Sequence, residues 1–94
     1  MRKYETVFVI RPDLEEEQTA GVIEKFTGII TNNGGEITNI DKKKKKRLAY
    51  EINHVKEGYY VLVNFDGEPA TIKELERAYK SSDEIIHHII GRLE

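Results

Sequence analysis

The sequence predicts an α+β fold with four strands and two helices in the order β-α-β-β-α-β. Two patterns lead to this prediction. Residues 3–10 and 59–65 are rich in β-branched and aromatic side chains, which is typical of strands. Two other stretches carry apolar residues at the spacing of an amphipathic helix. Because neither a repeat nor a linker interrupts the 94 residues, we expect one domain that covers residues 1–94.

The first strand and the first helix are separated by Arg11-Pro12, which ends the alternating pattern of residues 3–10. Asp13 is a suitable N-cap, and Glu16, three residues later, would complete a capping box. Gly34-Gly35 predicts the end of this helix near Asn33. The apolar stripe of the helix consists of Leu14, Val22, Ile23, Phe26, Ile29 and Ile30.

The second half of the chain is assigned in the same way. Pro69 suits the first turn of a second helix, whose apolar positions are Ile72, Leu75, Ala78 and Tyr79. The other assignments are a strand at 36–40 that continues at 48–52 after a run of lysines, a turn at 53–58, a strand at 59–65, a break at 81–83 and a last strand at 85–90.

This order in so short a chain predicts a ferredoxin-like (split βαβ) fold, in which a four-stranded antiparallel sheet carries both helices on one face. If Phe8, Val61, Val63 and Phe65 face the helices, the uncovered face is largely apolar and fits a protein partner. Alternatively, the termini cover half of it, or the register is shifted by one residue, which would exchange the two faces. The candidate partner residues are Val7, Val9, Tyr60, Leu62, Ile85, His87 and Ile89.

A local basic segment, Lys42 to Arg47, stands out in an otherwise acidic chain. It holds six of the fifteen lysine and arginine residues, and the remainder has nine cations against seventeen acidic groups. Such a cluster favours a polyanion, for which a phosphate backbone is the obvious candidate, although a solvated strand edge explains the charge equally well. The candidate RNA-binding residues are Arg2, Lys3, Lys42, Lys43, Lys44, Lys45, Lys46, Arg47 and Arg92.

Catalytic chemistry is not indicated. The chain has no cysteine, His54 falls in a predicted turn, and the adjacent His87 and His88 point to opposite faces of a strand, so they cannot chelate one ion together. We therefore expect no enzyme activity, no metal and no cofactor. No apolar stretch has the length of a membrane span and no signal peptide precedes the first strand, which predicts a cytoplasmic protein.

Four segments in order give the chain a family resemblance. They are Met1-Arg2-Lys3-Tyr4-Glu5, Lys46-Arg47-Leu48-Ala49-Tyr50-Glu51-Ile52, Gly58-Tyr59-Tyr60 and Asp83-Glu84-Ile85-Ile86-His87-His88-Ile89. With these, essentially the whole chain resembles the bacterial small-subunit ribosomal protein S6 family. The family usually has Trp-Gly before its basic pair, where this chain has Lys43-Lys44.

The resemblance implies a structural ribosomal protein that pairs with ribosomal protein S18 and binds the central domain of 16S ribosomal RNA during assembly and translation. The uncovered face would take S18, the basic segment would take the RNA, and the isolated chain would be monomeric. Two alternatives share the element order. One is an acylphosphatase-like enzyme, which Pro12 and Asp13 after Arg11 disfavour because they offer an anion no donor and a negative charge. The other is a regulatory module that dimerises through its sheet face.

Overall fold

The structure is a computed structural model, which describes residues 1–52 and 55–93 and the side chains of residues 1–42 and 58–93. The elements are β1 (Arg2–Ile10), α1 (Glu16–Asn32), β2 (Glu36–Ile52), β3 (Val55–Gly67), α2 (Pro69–Ser81) and β4 (Ile85–Arg92). The strands lie in the order β2-β3-β1-β4, and every neighbouring pair is antiparallel. This arrangement confirms the ferredoxin-like fold. Neither helix of the described chain is long and apolar enough to cross a membrane.

The core lies between the two helices and one face of the sheet. An aromatic cluster forms its centre, in which the ring of Phe26 lies 5.4 Å from that of Phe8 and 4.7 Å from that of Tyr79. Phe8, Val61, Val63 and Phe65 are all buried in this core, so the predicted helix-facing set is confirmed. The opposite face carries no helix among the described residues, and we call it the open face.

One polar contact crosses the core. Thr6 Oγ1 donates to the backbone oxygen of Ile89 at 2.9 Å, so the Tyr79 hydroxyl, also 2.9 Å away, donates to Thr6. Burial raises the pKa of Tyr79. The His88 ring stacks on Tyr79 with centroids 4.8 Å apart, and burial lowers the pKa of His88. His88 therefore belongs to the helix side of the sheet, whereas His87 pairs with Val9 on the open face.

Helix α1 begins two residues later than predicted. The carboxylate of Asp13 accepts two hydrogen bonds from Arg11, at 2.9 and 2.6 Å, which lower the pKa of Asp13. Because both carboxylate oxygens are bound to Arg11, Asp13 does not cap the helix. The N-cap is Glu15 instead, and its backbone N–H donates to Gln18 Oε1 at 3.1 Å. The other end agrees with the prediction, because the helix stops at Asn32 and Gly34 has a φ of 82°.

The β2–β3 hairpin is longer than predicted. Strand β2 continues through the lysine run to Ile52, and β3 begins at Val55, so most of the predicted turn at 53–58 is strand. Residues 53 and 54, and with them His54, lie outside the described residues. Strand β1 ends opposite Tyr59, whereas the β2–β3 pairing continues to Ile52 and Val55. The hairpin therefore projects past the rest of the sheet.

A register shift in β4 corrects the predicted face of Ile85. Val9 pairs with His87, but the next residue, Ile10, pairs with Ile85, so Ile86 is an extra residue on β4. Ile85 consequently packs against the core and not on the open face. Ile86 takes its place there and approaches Gly58, with its terminal methyl 3.5 Å from where a Cβ would lie.

Gly58 is packed so closely that it tolerates no side chain. A Cβ at this position would overlap Val9 Cγ1 and lie 3.4 Å from the Ile10 backbone oxygen. We expect Gly58→Ala to lower the free energy of unfolding by about 1–3 kcal/mol, because the strand must shift. Val9→Ala should restore part of this loss by removing the overlapping methyl. Urea unfolding of the single and double variants measures the coupling.

The matched control is Gly21→Ala. Gly21 is exposed inside α1 with nothing within 4 Å of a new Cβ, so this change should raise stability by about 1 kcal/mol through helix propensity. A Gly58→Ala variant as stable as the unmodified protein, or one that Val9→Ala does not help, would contradict the close packing.

Candidate protein and RNA interfaces

The apolar half of the open face lies toward the hairpin. Its members share a face because directly paired residues in neighbouring strands point the same way. Val7 is flanked by Leu62 and Ile89, and Val9 is flanked by Tyr60 and His87. Ile89 is 57% exposed, whereas Val9 is only 1% exposed beneath its neighbours. Six of the seven candidate partner residues are thus adjacent, and Ile85 is the exception.

Ile86 also lies in this half, although the sequence did not predict it on the open face. It is half-buried and reaches the vicinity of Val9 and Gly58. The alternation of β4 placed it on the opposite face, because a period of two holds only where the ladder has no extra residue. No local signal in β4 marks the shift, since Ile85 and Ile86 are identical side chains.

The other half of the open face is polar and acidic, a feature that the sequence patterns did not predict. Glu5 pairs with Asn64 of β3 and with Gly91 of β4. One step further from the hairpin, Asp66 lies between Lys3 of β1 and Glu36 of β2. We call Glu5, Asn39, Asn64, Asp66 and Glu36 the acidic half. The face therefore changes from apolar to acidic along its strands.

The candidate RNA-binding residues fall into two separate groups. Lys42 to Arg47 lie in β2, an edge strand, from the row of Val61 outward along the hairpin; Lys42 is exposed, and the side chains of the other five lie outside the described set. Lys3 lies in the row of Asp66, five residues along β3 from Val61, which corresponds to about 17 Å. Arg2 and Arg92 lie at the same end as Lys3. One short stretch of backbone phosphates cannot reach both groups.

Three further features bear on whether the chain could be an enzyme. In the part of the chain with described side chains, no three His, Asp or Glu residues come together to hold a metal ion. Arg11, the residue that would bind phosphate in an acylphosphatase-like enzyme, forms an ion pair with Asp13 at 2.6 Å. A groove of about 450 Å³ does lie between α1 and the base of the hairpin, lined among others by Leu14, Ile23 and Tyr59.

The fold and these surfaces define a small ferredoxin-like protein whose distinctive features are two surfaces suited to binding. The comparisons with known proteins agree with this class. The family model for ribosomal protein S6 matches residues 3–92, and the chain belongs to this family. The resemblance found in the sequence is thereby confirmed.

Individual relatives match over the whole chain. The small ribosomal subunit protein bS6 of Moorella thermoacetica is 58% identical over 94 residues, which are 100% of this chain and 96% of that protein. The same protein of Clostridium acetobutylicum is 51% identical and covers 100% of this chain and 99% of its own length. The crystal structure of 30S ribosomal protein S6 from Thermotoga maritima superposes with a TM-score of 0.92 at 32% identity, covering 97% of this chain and 86% of that one.

Family membership decides between the classes of function considered above. The S6 family consists of structural ribosomal proteins, so the prediction that the chain is not an enzyme is confirmed, and the acylphosphatase-like alternative has no support. The cytoplasmic location predicted from the sequence is confirmed in the same way, as that of a small-subunit ribosomal protein.

Proposed function

We propose that the chain pairs with ribosomal protein S18 through the apolar half of its open face and binds the central domain of 16S ribosomal RNA through the β2–β3 hairpin. The observation that carries the proposal is the uncovered apolar surface centred on Val7, Leu62 and Ile89. Monomeric proteins rarely expose a contiguous apolar patch of more than a few hundred Å², so a surface of this kind favours a protein partner.

The proposed RNA contact rests on the position of the basic segment. Its six cations lie on an edge strand whose outer part projects beyond β1 and β4, so a nucleic acid can approach this strand from outside the sheet. Neutralising phosphates with these cations releases condensed counterions, which is the main source of affinity without sequence preference. Arg2 and Arg92, at the far end, would contact RNA only where it extends over about 20 Å, and Lys3, in the row of Asp66 and Glu36, is left out of the proposed contact.

The two proposed surfaces are compatible with simultaneous binding. The apolar half is a sheet face, whereas the basic segment continues outward from its edge. A basic protein on the face would also add cations beside the hairpin, so the pair would meet the RNA with more positive charge than this chain has alone. We therefore expect S18 to raise the affinity for RNA.

A binding experiment with purified components tests the proposal. Light scattering should show the isolated chain as a monomer and its mixture with S18 as a one-to-one complex. Filter binding to a transcript of the 16S central domain should be weak for the chain alone and at least about tenfold tighter with S18. A stable homodimer would instead favour the regulatory module, and an affinity for RNA unchanged by S18 would contradict cooperative binding.

A further inference from the structure

We infer that the acidic half of the open face binds an arginine side chain of the protein partner, held by the Glu5 carboxylate above Gly91 and beside Asn64. The inference rests on the proposed pairing through this face, and it specifies the chemistry and the orientation of the partner. The partner must present apolar side chains toward the hairpin and an arginine at the opposite end of the contact.

The surface beside Glu5 has room for a ligand group on the β4 side. Glu5 pairs directly with Gly91, so both positions belong to the same row of the open face. A Cβ built on Gly91 would meet only the backbone oxygen of Glu5, at 4.0 Å. The surface directly over Gly91, in the row of Glu5, is therefore open, and a flat cation can lie over the glycine without displacing a side chain.

Two side chains that can accept hydrogen bonds, Glu5 and Asn64, lie side by side in this row. Asn64 lies directly opposite Glu5 in β3, where side chains of facing residues are neighbours. Among the described residues, Asn64 Oδ1 has no hydrogen-bond donor. The residue as a whole is only half-buried, so a donor that a partner brings to this row would satisfy an oxygen that lacks one in the free protein. A guanidinium carries five N–H groups in a planar fork, so it can donate to the carboxylate and to the amide together.

The acidic half of the open face carries an excess of negative charge. Glu5, Asp66 and Glu36 share this half of the face with a single described cation, Lys3. The resulting negative potential repels phosphate and attracts a basic polypeptide, so a protein and not RNA is the favoured occupant. In the adjoining row, Val7, Leu62 and Ile89 are apolar and only the β2 edge carries a charged residue, Asp41; these three side chains would exclude water once covered, which strengthens an ion pair at their border.

The test measures S18 binding by isothermal titration at about 50 and about 300 mM salt, where screening of surface charges differs strongly. Glu5→Gln removes the charge and keeps the size of the side chain, and Asn64→Leu removes the second acceptor. We expect Glu5→Gln to weaken binding at least about tenfold at low salt and to reduce its salt dependence, with a smaller loss for Asn64→Leu. Glu24→Gln, on the exposed surface of α1, is the matched control and should change the affinity less than about twofold.

An arginine-to-alanine scan of S18 then identifies the side chain. One arginine should lose its effect when Glu5 is already Gln, because the two changes remove the same contact. If Glu5→Gln leaves both affinity and salt dependence unchanged while Leu62→Asp abolishes binding, the pairing stands and the arginine site is excluded. If the unmodified chain does not bind S18, the pairing and the arginine site fail together.

Discussion

Leu62→Asp is expected to abolish S18 binding while changing the melting temperature little, and Val63→Asp is expected to unfold most of the protein. The two residues are adjacent in β3 but point to opposite faces. Val63 is fully buried and pairs with Thr6, so its replacement leaves an unpaired carboxylate in the core at a cost of several kcal/mol. This is a large part of the total stability of about 5–15 kcal/mol that is usual for a domain.

Leu62 is only half-buried on the open face, so an aspartate there remains solvated until a partner covers it. Thermal melts and titration with S18 measure the two effects separately. Leu62→Ala and Val63→Thr are the matched controls, because each shortens or alters the side chain without adding charge. A Leu62→Asp variant that melts as low as Val63→Asp would show that this face is packed within the free protein.

Replacing Lys43, Lys44 and Lys45 together by glutamate is expected to weaken RNA binding at least about a hundredfold at low salt. If the three cations contact phosphates, their loss lowers the slope of log affinity against log salt by about two to three. Filter binding over a salt series measures both quantities. The loss of affinity should be similar for unrelated RNA sequences, because phosphate contacts carry no base specificity.

The control for this experiment is the simultaneous replacement of Lys73, Arg77 and Lys80 by glutamate. These three cations are exposed along α2, and their reversal changes the net charge by the same amount. We expect a small loss of affinity from the general field and an unchanged salt slope. Equal losses from the two triple variants would show that net charge, and not the position of the basic segment, governs binding.

The order of the elements and the helix-facing side of the sheet were predictable because each follows from a pattern within one segment. Phe8 and Val63 belong to alternating strands, and Gly34 marks the end of α1 by its conformation. The start of α1 was predicted wrongly because Arg11 engages Asp13, a contact between side chains that competes with capping. Such competition is invisible to a rule that considers one position at a time.

The remaining differences between the predicted and the observed structure depend on contacts between strands. Strand β2 continues through the lysine run because it pairs with β3, although its own residues have no apolar alternation. Ile85 was placed on the wrong face because the shift in β4 exists only relative to β1. The acidic half could not be recognised at all, since Glu5, Glu36 and Asn64 become neighbours only when three strands are in register.

The central position of β1 has a consequence for the synthesis of the chain. One edge of β1 pairs with β3, but the other pairs with Ile85–Arg92, which are translated after the other three strands, and Thr6 is bonded to Tyr79 and to Ile89. A nascent chain can therefore build the β1-α1-β2-β3 part, yet it cannot close the sheet while β4 is still inside the exit tunnel. Such long-range closure is slow compared with local folding. We expect the sheet to close only once β4 has left the exit tunnel, and the open face is incomplete until then because Ile89 must lie beside Val7, so a partner that binds this face has to wait for the last strand of the sheet.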